Sequence, residues 1–550
     1  MKARLNRRHF LTAASAGAVA GLAARPASAL AVDYNAIGKI RTEGLGDTSK
    51  IMDTSSYLMD VLGPRLTASP GARASGEWVV SKLREYGCTS AALEPWPADP
   101  TGTNNGFPRG WRNTHFEMGV TAPVPFPVTG MSVGWTQGTN GLVSGECILV
   151  PETVEGEVKA KYAGQLRGKW VLGQNPPDLR AQWDPVARRL TREQLDNLET
   201  AARAPELGTP VPPRPQPTPP NRFNRNAWFK SEGALGVITT NKGQGVINVF
   251  GGQRDIAPEE TLPTIAVIAE HYGRMARTVK QGVRVVLEAD IRNEWTPNPP
   301  VFNVVGEIRG RTKPNETVII GGHFDSFHAA TGATDNGGNC ATAMEAMRIL
   351  LATNARPERT VRICLWTGEE QGLIGSRLYV SQHYGGVRGA PTAANPRGVI
   401  QPMTADHARF QAYFNLDNGC GAIRGIYNQS NNAMTPIFRE WAEPFRDIGM
   451  THVAARNTGS TDHVSFDQAG LPGFQFIQDP IDYEPKTHHT NMDFYESLQP
   501  EDMKRNSTIL AGFALLAANH PERLPRKPYT PPPEPPPPVP PAPPARPAPT

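Results

Sequence analysis

At 550 residues, of which 39% are apolar, the chain is too long for one simple core and reads as a soluble protein of about two or more packed units. Its 56 basic and 52 acidic side chains leave +4 at neutral pH, and no Lys/Arg cluster is interleaved with aromatics, which speaks against a nucleic-acid partner. Cys88, Cys147, Cys340, Cys364 and Cys420 are too widely spaced for a disulfide framework or a Cys-x-x-Cys zinc knuckle.

The first segment runs Asn6-Arg7-Arg8-His9-Phe10-Leu11, then an Ala/Gly-rich apolar run to Leu22, then Arg25-Pro26-Ala27-Ser28-Ala29. Residues 1–29 resemble a twin-arginine export signal with cleavage after Ala29. The apolar run is shorter than the ~20 residues that span a bilayer, so no stable membrane insertion is expected once the signal is gone. Removing Lys2, Arg4, Arg7, Arg8 and Arg25 leaves 51 basic against 52 acidic groups, a charge near −1, so the basic balance belongs mostly to targeting. The resemblance implies a periplasmic or secreted protein.

Residues 32–127 are expected to form an N-terminal part of the main domain. Apolar spacing from Ile51 to Tyr86, closed by Gly87, predicts two helices with Pro70-Gly71 in the linker between them. Residues 128–292 change to short β-rich pieces. Gly168–Gly173, Gly233–Ile238 and Leu262–Val267 read as strands or strand-helix joints, and together they resemble a protease-associated domain inserted into a peptidase. A Pro-rich loop over 205–220 and a Pro-rich tail over 523–550 favour extended polyproline II over a packed core.

Residues 293–522 look like an α/β domain with a mixed, largely parallel sheet flanked by helices. Thr317–Gly322, Val361–Trp366, Phe410–Asn415 and Gly473–Ile477 are the strand candidates. Asn336–Leu351 reads as a helix whose Met344 and Met347 fill the core. Most of the chemistry-bearing residues fall just past the ends of these strands, where open α/β sheets place their sites.

Those residues form short motifs: His323-Phe324-Asp325, Asp335-Asn336-Gly337-Gly338, Glu369-Glu370, Asp417, and His489-Thr490-Asn491-Met492-Asp493. Singly each is weak, since an isolated His is more often a satisfied core residue than a ligand. Their coincidence in order supplies imidazole and carboxylate ligands, a carboxylate able to bridge and a free one to act as base, which is what a two-zinc hydrolase needs.

The set resembles the zinc-dependent exopeptidase family of bacterial leucyl aminopeptidases and carboxypeptidase Q (plasma glutamate carboxypeptidase). The matching segments include Gly321-Gly322-His323-Phe324-Asp325-Ser326 and Gly368-Glu369-Glu370-Gln371-Gly372. Upstream, Leu62-Gly63-Pro64-Arg65-Leu66, Glu94-Pro95-Trp96 and Arg109-Gly110-Trp111 look more like carboxypeptidase Q. The resemblance covers about Tyr57 to Leu516. It implies two Zn2+ per chain: Asp335 bridging, His323 and Asp417 completing one ion, Glu370 and His489 the other. It further implies Asp325 orienting His323, Glu369 as general base and a short peptide as substrate. Relatives often carry an aromatic before the ligand His, whereas here His488 stands there. A role for His488 at the oxyanion and a merely solvated His488 are both open at this stage. Asp462-His463 is expected to wall the site.

The implied reaction is exopeptidase cleavage of dipeptidase or carboxypeptidase type, with aminopeptidase action as the alternative. A glutaminyl-cyclase-like transferase and a non-catalytic binding module are less favoured, because neither ligands nor base are missing. Gly130-Met131-Ser132-Val133-Gly134 fits the serine-hydrolase elbow pattern, but no helical periodicity follows it, so it reads as chance. A homodimer is compatible with the sequence.

Overall fold

The computed structural model describes residues 32–99, 102–139, 141–200, 223–241, 243–249, 254–389 and 398–529. The export-signal segment and the Pro-rich loop 205–220 lie outside them. In chain order the strands are β1 (Ser90–Pro95), β2 (Arg109–Ala122), β3 (Phe126–Pro127), β4 (Gly130–Ser132), β5 (Leu142–Leu149), β6 (Lys169–Leu172), β7 (Gly236–Thr239), β8 (Thr264–Val267), β9 (Val286–Pro297), β10 (Phe302–Ile308), β11 (Lys313–His323), β12 (Arg359–Trp366), β13 (Phe410–Asn415), β14 (Ile423–Tyr427), β15 (His452–Ala454) and β16 (Gly473–Gln478). They make two mixed eight-stranded sheets, ordered β1-β10-β12-β11-β13-β16-β14-β15 and β3-β2-β9-β5-β6-β7-β8-β4.

The first sheet is parallel at its centre, β12-β11-β13-β16, and antiparallel where β10 meets β12 and β14 meets β16. Its central strands are buried along most of their length because both faces are covered. On β11, Val318 and Ile320 join one core with Met344 and Met347 of the helix Gly338–Ala352 and Leu510 and Phe513 of the helix Pro500–Asn519. Ile319 joins the opposite core with Trp366, Tyr379 and Phe466. This period-two partition is what a strand buried on both sides requires. After β11 the chain adds β12 on one flank and then crosses to add β13 on the other, so the order reverses at the carboxyl end of β11. That reversal opens a crevice.

Pro70 differs from its expected linker position. It opens the helix Pro70–Tyr86, with Ser69 Oγ accepting from Ala72 N at 3.1 Å as the N-cap. Proline suits the first helical turn because its missing N–H would be unpaired there anyway. Gly87 (φ 101°) closes the helix in the left-handed region that favours glycine.

The second sheet spans Arg109 to Pro297, wider than the β-rich stretch 128–292 read from local sequence. The difference is β2, a long strand whose partner β9 is distant in the chain. Its pairing is set by that partner, which no local pattern displays. Ser132 lies on edge strand β4, and Trp135 (φ 53°) follows in a turn, so the Gly-x-Ser-x-Gly match has no strand-to-helix elbow. Residues 523–529 pack against the unit built on the first sheet, whereas the Pro-rich composition places them in a free tail. Leu524 is buried, Arg526 Nη2 donates to the carbonyls of His407 (2.9 Å) and Phe410 (2.6 Å), and the Tyr529 hydroxyl donates to Gly386 O. Residues 530–550 lie outside the described residues.

Candidate metal centre

β11 delivers His323 into the crevice. Gly322 precedes it because a Cβ there would stand 2.5 Å from Leu416 O and 2.8 Å from Asn336 Nδ2, so only glycine lets the loop carrying Asp417 approach. Asn336 Nδ2 donates to Leu416 O at 2.9 Å and ties the Asp335 turn to the same loop. The Asp335–Asn336 peptide bond is cis.

His323 Nδ1 lies 3.0 Å from the Asp325 backbone carbonyl and 3.6 Å from the Asp325 carboxylate. The nearer carbonyl assigns the proton to Nδ1 and leaves the Nε2 lone pair facing the crevice. Nε2 is 3.1 Å from Asp335 Oδ1 and 3.2 Å from Asp417 Oδ1. Across the crevice, His489 Nε2 is 3.2 Å from Asp335 Oδ2 and 2.9 Å from Glu370 Oε2. Asp335 therefore stands between two imidazoles, one oxygen toward each, and each imidazole has its own second carboxylate. His488 Nε2 is farther from Asp335 Oδ2, at 3.9 Å, and its Nδ1 lies 3.4 Å from Glu484, with the ring against Tyr483.

The ligand atoms form overlapping groups within 4.8 Å: His323, Asp335 and Asp417; Asp335, His488 and His489; and His323, Glu369 and Glu370. Asp335 Oδ2 and Glu370 Oε1 are buried and accept no hydrogen bond, although His489 Nε2 stands near the first. Buried carboxylate oxygens without donors, grouped around imidazole nitrogens, are costly unless cations neutralise them. The donor set, imidazole nitrogen with carboxylate oxygen, fits zinc.

The electrostatics carry the same message. Burial pushes the Glu369 carboxyl well above the usual range, and neighbouring Asp417 and Glu370 add to that while His323 opposes it. Burial also raises Glu370, with Asp335 adding to it. Asp335 goes the other way: burial would raise it, but the His323 hydrogen bond and the charges of His489, His323 and His488 pull it down. Bound divalent ions would be the largest charges in this crevice and would favour the ionised acids.

The cleft beyond these groups has a volume of about 570 Å³, walled in part by Leu373, Asn418, Thr461, Tyr483 and Glu484. Asp462 is fully buried nearby, as is His463, whose Nε2 is 3.1 Å from Thr458 O. Burial raises Asp462 to about 8.

Sequence reasoning misses several supporting residues. Thr67 Oγ1 donates to Asp325 Oδ2 at 2.8 Å and accepts from Gly368 N at 3.0 Å. Asp325 also accepts from the backbone N–H groups of Glu369 (3.2 Å) and Glu370 (3.4 Å), so its carboxylate braces the Glu-Glu turn more closely than it braces His323. Asp493 accepts from Thr334 N, Thr334 Oγ1 and Asp335 N, at 2.7, 2.7 and 3.0 Å, which fixes the Asp335 backbone. Arg65, fully buried, donates to the carbonyls of Phe324, Thr331 and Gly332 and pins the loop after His323. Only the Leu62–Leu66 and His-Thr-x-x-Asp matches signal any of these positions, and neither signals what the side chain touches.

Residues 303–514 match the sequence profile of Peptidase family M28. Over those residues the chain is similar to the M28 peptidases. The M28 match takes in every residue of the crevice described above and stops short of the second sheet. Among similar proteins, carboxypeptidase Q of Mus musculus is 28% identical over 265 residues, 48% of this chain and 52% of the relative. An aminopeptidase of Pseudomonas aeruginosa (strain UCBPP-PA14) is 36% identical over 331 residues, 58% of this chain and 50% of the relative. The chain thus spans about half the length of these curated relatives. In fold, a peptidase M28 precursor from Shewanella amazonensis SB2B aligns over 90% of this chain and 98% of its own, with a TM-score of 0.61 at 21% identity. That alignment extends through both sheets.

Proposed function

We propose that the protein is a two-zinc metallo-exopeptidase that hydrolyses short peptides, in the manner of a dipeptidase or of carboxypeptidase Q. The observation that carries this reading is Asp335, set between His323 and His489 with one oxygen toward each. In it, His323 and Asp417 would hold one ion and Glu370 and His489 the other, with Asp335 shared between them. When bound, zinc supplies Lewis-acid polarisation of a carbonyl and lowers the pKa of water. Glu369 is the neighbour left free of His489, and it takes the proton of the attacking water on a carboxylate oxygen and returns it to the departing amine. Asp325 holds the Glu369 backbone while that side chain exchanges its proton. His488, partly exposed beside the bridging carboxylate, faces the cleft where the substrate oxyanion would develop. Manganese or cobalt would suit the same donors.

A second reading, aminopeptidase action, draws on the cleft walls. Among the described residues, those that line the cleft include Glu484 but no Lys or Arg, a wall that attracts a free ammonium terminus more than a carboxylate. The second sheet fits the role of a protease-associated insert limiting access to the cleft. Export through the twin-arginine-like segment would suit a protein that binds its metals while folding.

The test is a panel of dipeptides with free, N-blocked and C-amidated ends, assayed before and after chelation and zinc restoration. Zinc-restorable cleavage is expected, and the block that abolishes it names the terminus. Glu369→Gln should keep both metals and lose about 10²- to 10⁴-fold in kcat. Full activity in that variant would remove Glu369 as the base.

A further inference from the structure

The segment from Ile481 to Asp493 brings Tyr483, Glu484, His488 and His489 to the crevice with little regular structure of its own. His489 itself sits at φ 59° and Ile481 at φ 45°, left-handed conformations that a side-chain-bearing residue keeps only when its surroundings hold it. Part of that hold comes from Asp493, inside the M28-like region. The rest comes from the second sheet's unit, which grips the segment at both ends.

At one end, Asn491 N donates to Ile247 O at 3.0 Å, and Ile247 N donates back to Asn491 Oδ1 at 2.7 Å. Asn491 Nδ2 also reaches Gly245 O at 3.4 Å, and Thr490 bridges to Asn248 in antiparallel fashion. The gripping loop is itself anchored, for Ile247 is buried in the same apolar cluster as Phe327, which packs on His489, and Gly245 N donates to Glu270 at 3.1 Å. At the other end Arg188 N donates to Ile481 O at 3.0 Å, Leu190 N donates to Asp479 Oδ1 at 2.9 Å, and Arg189 pairs with the buried Asp479 at 2.9 Å.

We propose that Asn491 is a positioning residue for the imidazole of His489: through residues 245–247 the second sheet's unit sets the backbone that presents one of the two metal-binding His. This assigns that unit a part in building the metal centre, beyond any limit it places on access. The hydrogen bonds of the Asn491 side chain go to that loop and leave the M28-like region uninvolved, which makes the residue a direct probe of the coupling. The proposal rests on the two-metal reading given above.

The experiment is metal titration of the purified full chain by calorimetry, together with the visible absorption of the Co2+-loaded protein, for wild type, Asn491→Ala, Asn491→Asp and Asn491→Gln. His489→Ala serves as the reference that identifies the affected site. Asn491→Ala should weaken that one site about 10- to 100-fold, the range seen when outer partners of metal ligands are removed, and leave the other site unchanged. Asn491→Asp keeps the acceptor for Ile247 N–H and should restore most of the affinity, an outcome that general loosening would not produce. Wild-type affinity at both sites in folded Asn491→Ala, or equal weakening of both, would overturn the proposal. If Asn491→Ala fails to fold, Asn491→Gln, which displaces the acceptor by one methylene, decides on the same criteria. A wild-type chain that binds fewer than two metals would instead overturn the two-metal reading, so the two failures are distinguishable.

Discussion

Replacing Asp325 by Asn separates two ways in which this carboxylate could act. If it serves chiefly to orient His323, the variant should lose metal. The distances argue otherwise: His323 Nδ1 is nearer the Asp325 backbone carbonyl (3.0 Å) than its carboxylate (3.6 Å), and substitution of the side chain leaves that carbonyl in place. What the carboxylate does hold is Thr67 Oγ1 and the N–H groups of Glu369 and Glu370. An Asn amide keeps one acceptor oxygen, so one side of this set loses a charge-assisted bond worth about 1.5–3 kcal/mol. Where that loss falls on the Glu369 backbone, it loosens the proposed base, and the same energy taken from the transition state is about ten- to a hundred-fold in rate. The expected result is a metal-loaded Asp325→Asn protein with near wild-type zinc affinity and kcat down by about that factor. The assay pairs competitive zinc titration with steady-state kinetics at saturating zinc. A variant that loses zinc affinity while its loaded form keeps wild-type kcat would refute the reasoning and return Asp325 to the service of His323.

Thr67→Val keeps the side-chain shape but leaves Gly368 N–H buried without an acceptor and removes a donor from Asp325, so unfolding in urea should show a loss of about 2–5 kcal/mol; an unchanged midpoint and slope would contradict it. Asp462 is raised to about 8 by burial, against the opposing pull of His323 and the Ser376 hydroxyl. A carboxyl whose folded pKa lies above its unfolded one binds more protons when folded, so its contribution to stability is full at low pH and is lost as pH rises toward the folded value. Metal-free wild type should therefore weaken between about pH 4 and pH 8 relative to Asp462→Asn, by an amount on the order of a few kcal/mol, and parallel urea curves for the two proteins across that window would count against it. Chelation should lower the melting temperature as well as abolish activity: a site saturated about 100-fold above its Kd contributes about 2.7 kcal/mol, or roughly 5–10 °C for a domain of this size. Thermal melts with and without zinc would read the shift, and coincident melts would mean that the buried acids need no cation.

The central sheet and most of the crevice are legible in the sequence because their determinants are local. A strand buried on both faces reads as a continuous apolar run, as in Ile363–Trp366, and the residue just past its end must be a loop residue. Glu369, Glu370 and Asp417 follow their strands in that way, and His323 is the last residue of β11. Thr67, Arg65 and Asn491 are illegible for the opposite reason. Each acts through a partner far away in the chain, Thr67 through Asp325 and Gly368, Arg65 through Phe324 and Gly332, Asn491 through Ile247, and nothing in the nearby composition distinguishes a Thr, Arg or Asn so engaged from one facing solvent. The strand β2 belongs with them, since its length is set by pairing with β9.

The adjacent glutamates show where local reading gives way to geometry. Glu369-Glu370 offers two identical carboxylates, and a two-metal hydrolase must commit one to a cation and keep the other free. Composition and spacing treat them alike. The turn that follows β12 has both backbone N–H groups held by one buried carboxylate, Asp325, so the two side chains leave from a fixed point in different directions. Glu370 Oε2 is carried to 2.9 Å from His489 Nε2, while Glu369 lines the cleft beside Leu373 and Asn418. The proposed division of labour between them rests on that brace, and this is why Asp325→Asn is expected to disturb the chemistry more than the metal.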